Sequence, residues 1–313
     1  MAGAALSVVS RTQVATHRTR AGGGLSGAVS AGVHHVSGPV AVTGFADEIA
    51  AHAGEQIAGL QSARVSFLEL RGVNGTNVLD LTDAEVEEFR GQLGDAGIRV
   101  SCIGSPIGKV QIRADLEEHF ARFQVALQRA DQFDCRFVRL FSFYHEAEEP
   151  AAVRDLVVAQ LQRMAAAATE AGVTLVHENE KGIYGDTPER CLDLLTTVGS
   201  EHLKAAFDPA NFVQCGADSM QSWDLLASHV IYFHIKDAVA DSGRVVPAGL
   251  GDGDVEQVLA AALNRGFSGF LSIEPHLKEQ DPDYGGGGVE RFTLATTALR
   301  AILHRLGADE TDR

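Results

Sequence analysis

The chain has 313 residues, 45% of them hydrophobic and 22% charged, which is enough apolar material for a full globular core. Its formal net charge of −16 argues against a nucleic-acid partner, because binding to a phosphate backbone depends on clustered Lys and Arg. An apolar run of about 18 residues, the length of a membrane span, is absent, so we predict no membrane association.

The four cysteines are scattered without a C-x-x-C spacing. In a chain of this size they indicate reduced, mostly buried thiols and a cytoplasmic protein.

The first 38 residues differ in composition from the rest. They contain Arg11, Arg18 and Arg20, no acidic residue, and many Ala, Gly and Ser. This is similar to a transit peptide, but such a segment buries too little apolar surface to fold. We therefore predict a disordered tail over residues 1–38 and a single folded domain over residues 39–313.

From Val40 onward, short apolar runs alternate with longer amphipathic stretches, which is typical of repeated β-α units on a parallel sheet. The predicted strands are 39–45, 66–71, 99–105, 136–143, 174–180, 203–211, 231–237 and 269–276. The predicted helices are 47–63, one from 82, 115–131, 150–171, one from 188, 220–228, 255–265 and 289–306. Eight such units predict an α/β fold, a (β/α)₈ TIM barrel. An open doubly wound sheet is less favoured, because F-A-D-E after the first strand is a poor phosphate turn.

Four consecutive strands end in a polar residue on the predicted inner face. In strand seven, for example, Ile231, Phe233 and Ile235 form one apolar face, so His234 points inward. The same reasoning directs three carboxylates inward. The four residues are Glu178, Asp208, His234 and Glu274.

These side chains are expected at the carboxyl-end mouth of the barrel, where active sites of this fold lie. Two Glu, one Asp and one His suit a hard-to-borderline divalent ion. We predict one bound metal ion, with Mn²⁺ preferred over Mg²⁺, Co²⁺ or Zn²⁺.

The chain also resembles a known family in its motifs. They are FADE (45–48), LELRGVNGTNVLDLT (68–82), GSPIGK (104–109), RLFSFY (139–144), HENEKGIYGDTPERC (177–191), FDPANF (207–212), HIKDA (234–238) and IEPH (273–276). Together they resemble the xylose-isomerase-like superfamily, and within it the bacterial sugar phosphate isomerase/epimerase proteins. The resemblance covers about Val40 to Leu306.

The resemblance implies roles for particular residues. In ketose 3-epimerases of the superfamily a Glu, Asp, His, Glu set binds Mn²⁺, and its two Glu residues are the acid/base pair. By motif position the catalytic pair is Glu178 and Glu274. Where those enzymes have a substrate-contacting His, this chain has Asn211, which leaves the substrate open.

Further polar residues are candidates for substrate contacts. Arg139 fits either face of strand four, and Lys236 could instead brace the metal site together with Asp237. The predicted substrate-binding residues are Glu69, Arg71, Lys109, Arg139, Asn211, Lys236 and His276. The run Gly285–Gly288 is predicted to be a flexible loop near the mouth.

The function predicted is a metal-dependent sugar isomerase or epimerase that transfers a proton through an enediolate on a ketose or keto-sugar derivative. The alternative is a metal-dependent lyase or dehydratase acting on a keto-sugar, keto-glycoside or inosose at the same site. Two further hypotheses are less favoured, namely a nuclease and a non-catalytic barrel that binds a sugar or another partner. The expected partner is a small sugar substrate, and a homo-oligomer is left open.

Overall fold

The computed structural model describes residues 39–146 and 149–311. The predicted tail over residues 1–38 lies outside the described residues. In the described part of the chain, no helix is both long enough and apolar enough to cross a membrane.

Eight parallel strands form one sheet, in which the second to the eighth pair in chain order and the first pairs with the eighth. The sheet runs β1-β8-β7-β6-β5-β4-β3-β2, and its two end strands, β1 and β2, pack against each other. This is the predicted barrel. The strands are β1 Ala41–Gly44, β2 Phe67–Leu70, β3 Arg99–Ile103, β4 Phe137–Leu140, β5 Thr174–Glu178, β6 Leu203–Phe207, β7 Val230–Ile235 and β8 Phe270–Ile273.

Helices follow each strand in the described chain. They are α1 Ala53–Ser62, α2 Asp83–Asp95, α3 Leu116–Gln132, α4 Pro150–Ala171, α5 Pro188–Val198, α6 Pro209–Gln214, α7 Ser219–Leu226, α8 Val255–Asn264 and α9 Gly288–Leu306. Two short hairpins extend the loops after β2 and β7, at Gly72–Val73 with Thr76–Asn77 and at Asp237–Ala238 with Val245–Val246.

Local sequence signals account for several helix ends. Thr82 and Glu85 form a complete capping box at the start of α2. Gly172 ends α4 in the left-handed conformation at φ 68°, which glycine adopts without steric cost. Pro188 occupies the first turn of α5. These three predicted boundaries are confirmed.

The sixth strand is shorter than predicted. The segment 203–211 was expected to be extended throughout, but α6 begins at Pro209. Asp208 caps this helix, since its carboxylate accepts a hydrogen bond from Asn211 N at 2.9 Å, and proline suits the first helical position. The last predicted residue of the glycine run, Gly288, likewise belongs to a helix, as the first residue of α9.

The two strand faces separate as the alternation predicts. Outward residues such as Leu175, Phe233 and Leu271 belong to one large apolar cluster shared with the helices. The inner face of the barrel holds a separate small cluster that includes Val176 and Tyr232. The inward face therefore continues to the ends of β5–β8, where the candidate ligands lie.

The cysteines match their prediction. All four are free thiols, and three of them, Cys102, Cys135 and Cys191, are buried. Burial raises the pKa of Cys135 to about 12, which disfavours its reactive thiolate form.

Candidate active site and metal centre

The four predicted ligands meet at the mouth of the barrel. Glu178 ends β5, His234 lies near the end of β7, and Asp208 and Glu274 directly follow β6 and β8. One ligand atom from each residue lies within 4.8 Å of the ligand atoms of the others. All four side chains are buried. Three carboxylates and an imidazole are thus held within the span of one coordination sphere.

Two buried atoms in this cluster lack a hydrogen bond, namely His234 Nδ1 and Asp208 Oδ2. His234 Nδ1 lies 3.0 Å from Glu178 Oε1, and Asp208 Oδ2 lies 2.9 Å from Lys236 Nζ, but neither contact has hydrogen-bond angles. Because buried polar atoms are nearly always satisfied, such a pair requires an explanation. A cation shared by the cluster would satisfy both atoms, and the N and O donors fit a divalent ion.

Glu69 orients His234. Its two carboxylate oxygens lie 3.3 and 3.2 Å from His234 Nε2, and Tyr232 OH donates to it at 2.9 Å. Because Nε2 faces this carboxylate, Nδ1 is left to face the other ligands, which is the usual arrangement around a metal-binding histidine. Glu69 is fully buried and both of its oxygens are engaged, which supports this orienting role, while the substrate contact stays a prediction.

Lys236 lies inside the ligand cluster. Its Nζ is 2.9 Å from Asp208 Oδ2 and 2.6 Å from Glu274 Oε2, and the residue is only 4% exposed. The structure thus favours the bracing role over the substrate contact. Asp237 braces the adjoining loop instead, because its carboxylate accepts backbone N–H bonds from Ala238 and from three glycines. These are Gly249, Gly251 and Gly253.

Arg139 points into the barrel. This decides which face of the fourth strand it occupies, a question that the sequence left open. Its Nη1 lies 3.2 Å from Glu178 Oε2, and Nη2 donates to Gly104 O at 3.1 Å. Burial by itself would raise the pKa of Glu178, but His234 and Arg139 outweigh it and lower the pKa to about 2. Glu178 is therefore held as a carboxylate.

Asn211 also holds Glu178. Its side-chain amide donates to Glu178 Oε1 at 3.2 Å and to Asn179 O at 2.8 Å. The Asn179 side chain in turn exchanges two hydrogen bonds with the backbone of Asp208, at 2.9 and 3.0 Å. The prediction did not include Asn179, although its position between two glutamates in the H-E-N-E motif marks it.

A polar network covers Glu274 on the β1–β2 side. Arg71 forms a two-point ion pair with Asp47, at 2.7 and 3.1 Å, and its Nη1 lies 3.7 Å from Glu274 Oε1. His276 Nε2 lies 3.1 Å from Glu48 Oε1 and 3.3 Å from Glu274 Oε1. Asp47 and Glu48 follow β1 and were not predicted as site residues.

Glu48, Glu274 and His276 also lie close enough to share a cation. Arg71 already contacts both of these glutamates, at 3.3 and 3.7 Å. Arg71 therefore offsets part of the charge of this second group. Lys109 is farther out on the rim, where its Nζ donates to Glu180 Oε2 at 2.9 Å.

Comparison with known proteins shows the family to which this chain belongs. Residues 58–292, more than half of the chain, match the family described as xylose isomerase-like TIM barrel. The chain belongs to this family.

Relatives of this xylose isomerase-like barrel include a curated enzyme. The chain is 22% identical over 222 residues to the probable L-ribulose-5-phosphate 3-epimerase UlaE of Mycoplasma pneumoniae, across 66% of this chain and 71% of that protein. At 22% identity, this chain is therefore similar to a protein that is named as a probable sugar epimerase.

Solved structures that share the fold include two named proteins. The IOLI protein with a bound zinc atom aligns at a TM-score of 0.71 and 14% identity, over 85% of this chain and 98% of the other. The probable 3-DHS dehydratase AsbF of Bacillus anthracis aligns at 0.67 and 17% identity, over 83% and 98%. The proteins compared thus include one named as a probable epimerase and one named as a probable dehydratase, and the IOLI structure contains a metal ion.

Proposed function

We propose that this xylose isomerase-like barrel is a divalent-metal-dependent sugar isomerase or epimerase. It transfers a proton next to the carbonyl group of a ketose or keto-sugar derivative. The observation that carries the proposal is the convergence of four buried ligand residues, two of them with unsatisfied atoms facing the others. Three carboxylates are costly to bury unless positive charge compensates them, and Lys236 and Arg139 supply only two positive charges.

Glu178, Asp208, His234 and Glu274 would hold the ion. A divalent ion there supplies positive charge that stabilises an enediolate when the proton leaves. We propose Mn²⁺ on the basis of the mixed carboxylate and imidazole donors, and Mg²⁺, Co²⁺ and Zn²⁺ suit the same set. Glu69 keeps His234 Nδ1 directed at the ligands.

Glu178 and Glu274 are the proposed acid/base pair. Burial opposes their ionisation, but neighbouring cationic side chains outweigh it and lower the pKa of both carboxyl groups. Each is therefore a carboxylate at neutral pH and can accept a proton first and return it later. They extend from β5 and β8, so two separate bases can reach the reacting carbon, as epimerisation requires. If a single base removes and returns the proton on one face of the sugar, the product is instead the isomer.

The expected surroundings of this activity follow from charge and cysteine content. With a formal net charge of −16, the partner we propose is a small sugar rather than a nucleic acid. Four free cysteines suit a reducing compartment, and we propose the cytoplasm.

The test is proton exchange on a panel of ketoses and keto-sugars in D₂O, with Mn²⁺ and with a chelator. We expect chelator-sensitive deuterium uptake at the carbon beside the carbonyl. Glu178→Gln and Glu274→Gln should each reduce kcat by about 10²–10⁴-fold with an unchanged circular dichroism spectrum. Glu180→Gln, a rim carboxylate outside the ligand set, is the matched control and should keep most activity.

Two results would change this proposal. An absorbing enone that forms without epimer or isomer would identify the lyase alternative at the same site. Full activity in the Glu178→Gln, Glu274→Gln double variant would rule out the acid/base assignment.

A further inference from the structure

A cavity of about 710 Å³ lies beside the candidate active site, between the loops that follow β7 and β8. His276 joins the two, because it lines the cavity and its Nε2 lies 3.3 Å from Glu274 Oε1. The volume is in the range of pockets that hold drug-sized ligands, about 300–1,000 Å³. A substrate bound at Glu274 can therefore extend a second group into this space.

The cavity wall is mixed in character. Val245 and Pro282 provide apolar surface, whereas Gln214, Ser242 and Gln280 provide amide and hydroxyl groups. Uncharged donors and acceptors beside apolar patches suit a group that has both hydroxyls and C–H faces. A sugar ring has this combination.

The arginine in the cavity wall is already neutralised. Arg244 Nε and Nη2 lie 2.9 and 2.6 Å from the two oxygens of Asp281, and Nη2 also lies 2.8 Å from Asp283 Oδ2. This ion pair joins the loop after β7 to the loop after β8. Because the guanidinium is matched by two carboxylates, it is not available to a phosphate without losing them.

The rest of the mouth offers little to a phosphate. Arg71 is matched by Asp47 and Lys109 by Glu180. The first turn of α9, after β8, carries Glu290 rather than an open anion site. Lys278 also lines the cavity, but it is exposed, so solvent screens its charge.

We propose that the cavity between the β7 and β8 loops is a subsite for a second, uncharged sugar unit linked to the reacting keto-sugar. The substrate class is then a keto-glycoside of at least two units, without a phosphate group. This inference rests on the proposed function, since it names the substrate of the same site.

The experiment compares three substrates by deuterium uptake in D₂O with Mn²⁺. They are 3-keto-glucose, its 6-phosphate, and maltose oxidised to the 3-ketone on its non-reducing ring. We expect kcat/KM for the keto-disaccharide to exceed the other two by about tenfold or more, mainly through KM. Equal or better kcat/KM for either monosaccharide overturns the subsite while leaving the proposed function intact. Absence of exchange on all three also overturns the subsite, and the proposed function fails with it only if the full panel of ketoses and keto-sugars shows no exchange either.

Cavity-filling variants test the location. Val245→Trp should abolish the preference for the disaccharide by raising its KM, and Ser242→Trp is a second variant in case the first does not fold. Leu250→Trp is the matched control, because Leu250 is 59% exposed and lies outside the cavity wall. A disaccharide preference that survives in the folded Trp variants, or that is lost equally in the control, contradicts the assignment.

Discussion

At the scale of single residues, Lys236 offsets part of the charge of the ligand cluster. Its ammonium group lies between Asp208 and Glu274, and all three side chains are almost fully buried. Removal of one partner from a buried ionic cluster leaves the remaining charges desolvated and uncompensated. The lysine therefore stabilises the barrel mouth whenever a divalent ion does not supply that charge.

We predict that Lys236→Met lowers the free energy of unfolding by about 3–5 kcal/mol in the presence of a chelator. Added Mn²⁺ should restore much of the loss, because it compensates the same carboxylates. Urea denaturation with EDTA and with Mn²⁺ measures both effects. The control is Lys204→Met, whose lysine pairs with the exposed Glu201; a similar loss there would remove the special role of Lys236.

At the scale of elements, short-range signals decide where helices begin. The Thr82 hydroxyl accepts from Glu85 N, and the Glu85 carboxylate accepts from Thr82 N at 2.7 Å. These bonds join residues three apart, so no other part of the chain is needed to form them. The start of α2 was therefore predictable from four letters.

We predict that Thr82→Ala lowers the free energy of unfolding by about 1 kcal/mol without affecting activity. Hydrogen bonds from the Thr82 backbone and side chain lower the pKa of Glu85 below 4.5. Stability from a lowered carboxyl pKa is present above the unfolded pKa and lost as the pH falls through the folded one. The difference between wild type and variant should therefore shrink below pH 4.5.

Denaturation curves at neutral and acidic pH measure this difference. Thr196→Ala provides the comparison, because Thr196 lies inside α5 and its hydroxyl bonds back to Leu192 O. A pH-independent effect of Thr82→Ala would show that the bond from the Thr82 hydroxyl to the Glu85 carboxylate does not contribute to the cap.

Element boundaries were harder to predict where two signals compete. Residues 203–211 contain an apolar strand and a Pro-initiated helix with no spacer between them, so the prediction merged them. It was easier to predict which side chains of β5–β8 point into the barrel. The outward residues must be apolar because they pack on helices, and their alternation with the inward residues is visible in the sequence.

At the scale of the whole molecule, the proposed ion would connect four strands that are distant in sequence. Its ligands come from the ends of β5, β6, β7 and β8. A ligand that binds only the folded state stabilises it in proportion to its saturation. Metal binding should therefore be detectable as global stability, without knowledge of the substrate.

We predict that Mn²⁺ at about 100 times its Kd raises the free energy of unfolding by about 2.7 kcal/mol. For a chain of this size that corresponds to a Tm increase of about 2–4 °C per kcal/mol. Differential scanning calorimetry after chelation and re-addition measures the shift. Asp208→Asn should reduce it strongly; an unchanged shift in that variant would place the ion elsewhere.

The sequence by itself determined the order of strands and helices, the barrel they form and the four residues proposed as ligands. These features follow from local periodicity, capping and strand phase, which neighbouring residues specify. Only the tertiary structure decided that Glu69 orients His234, 165 residues away, that Lys236 lies between two carboxylates, and that a cavity adjoins His276. Such contacts depend on where distant strands and loops meet in space, and a linear pattern does not encode that distance.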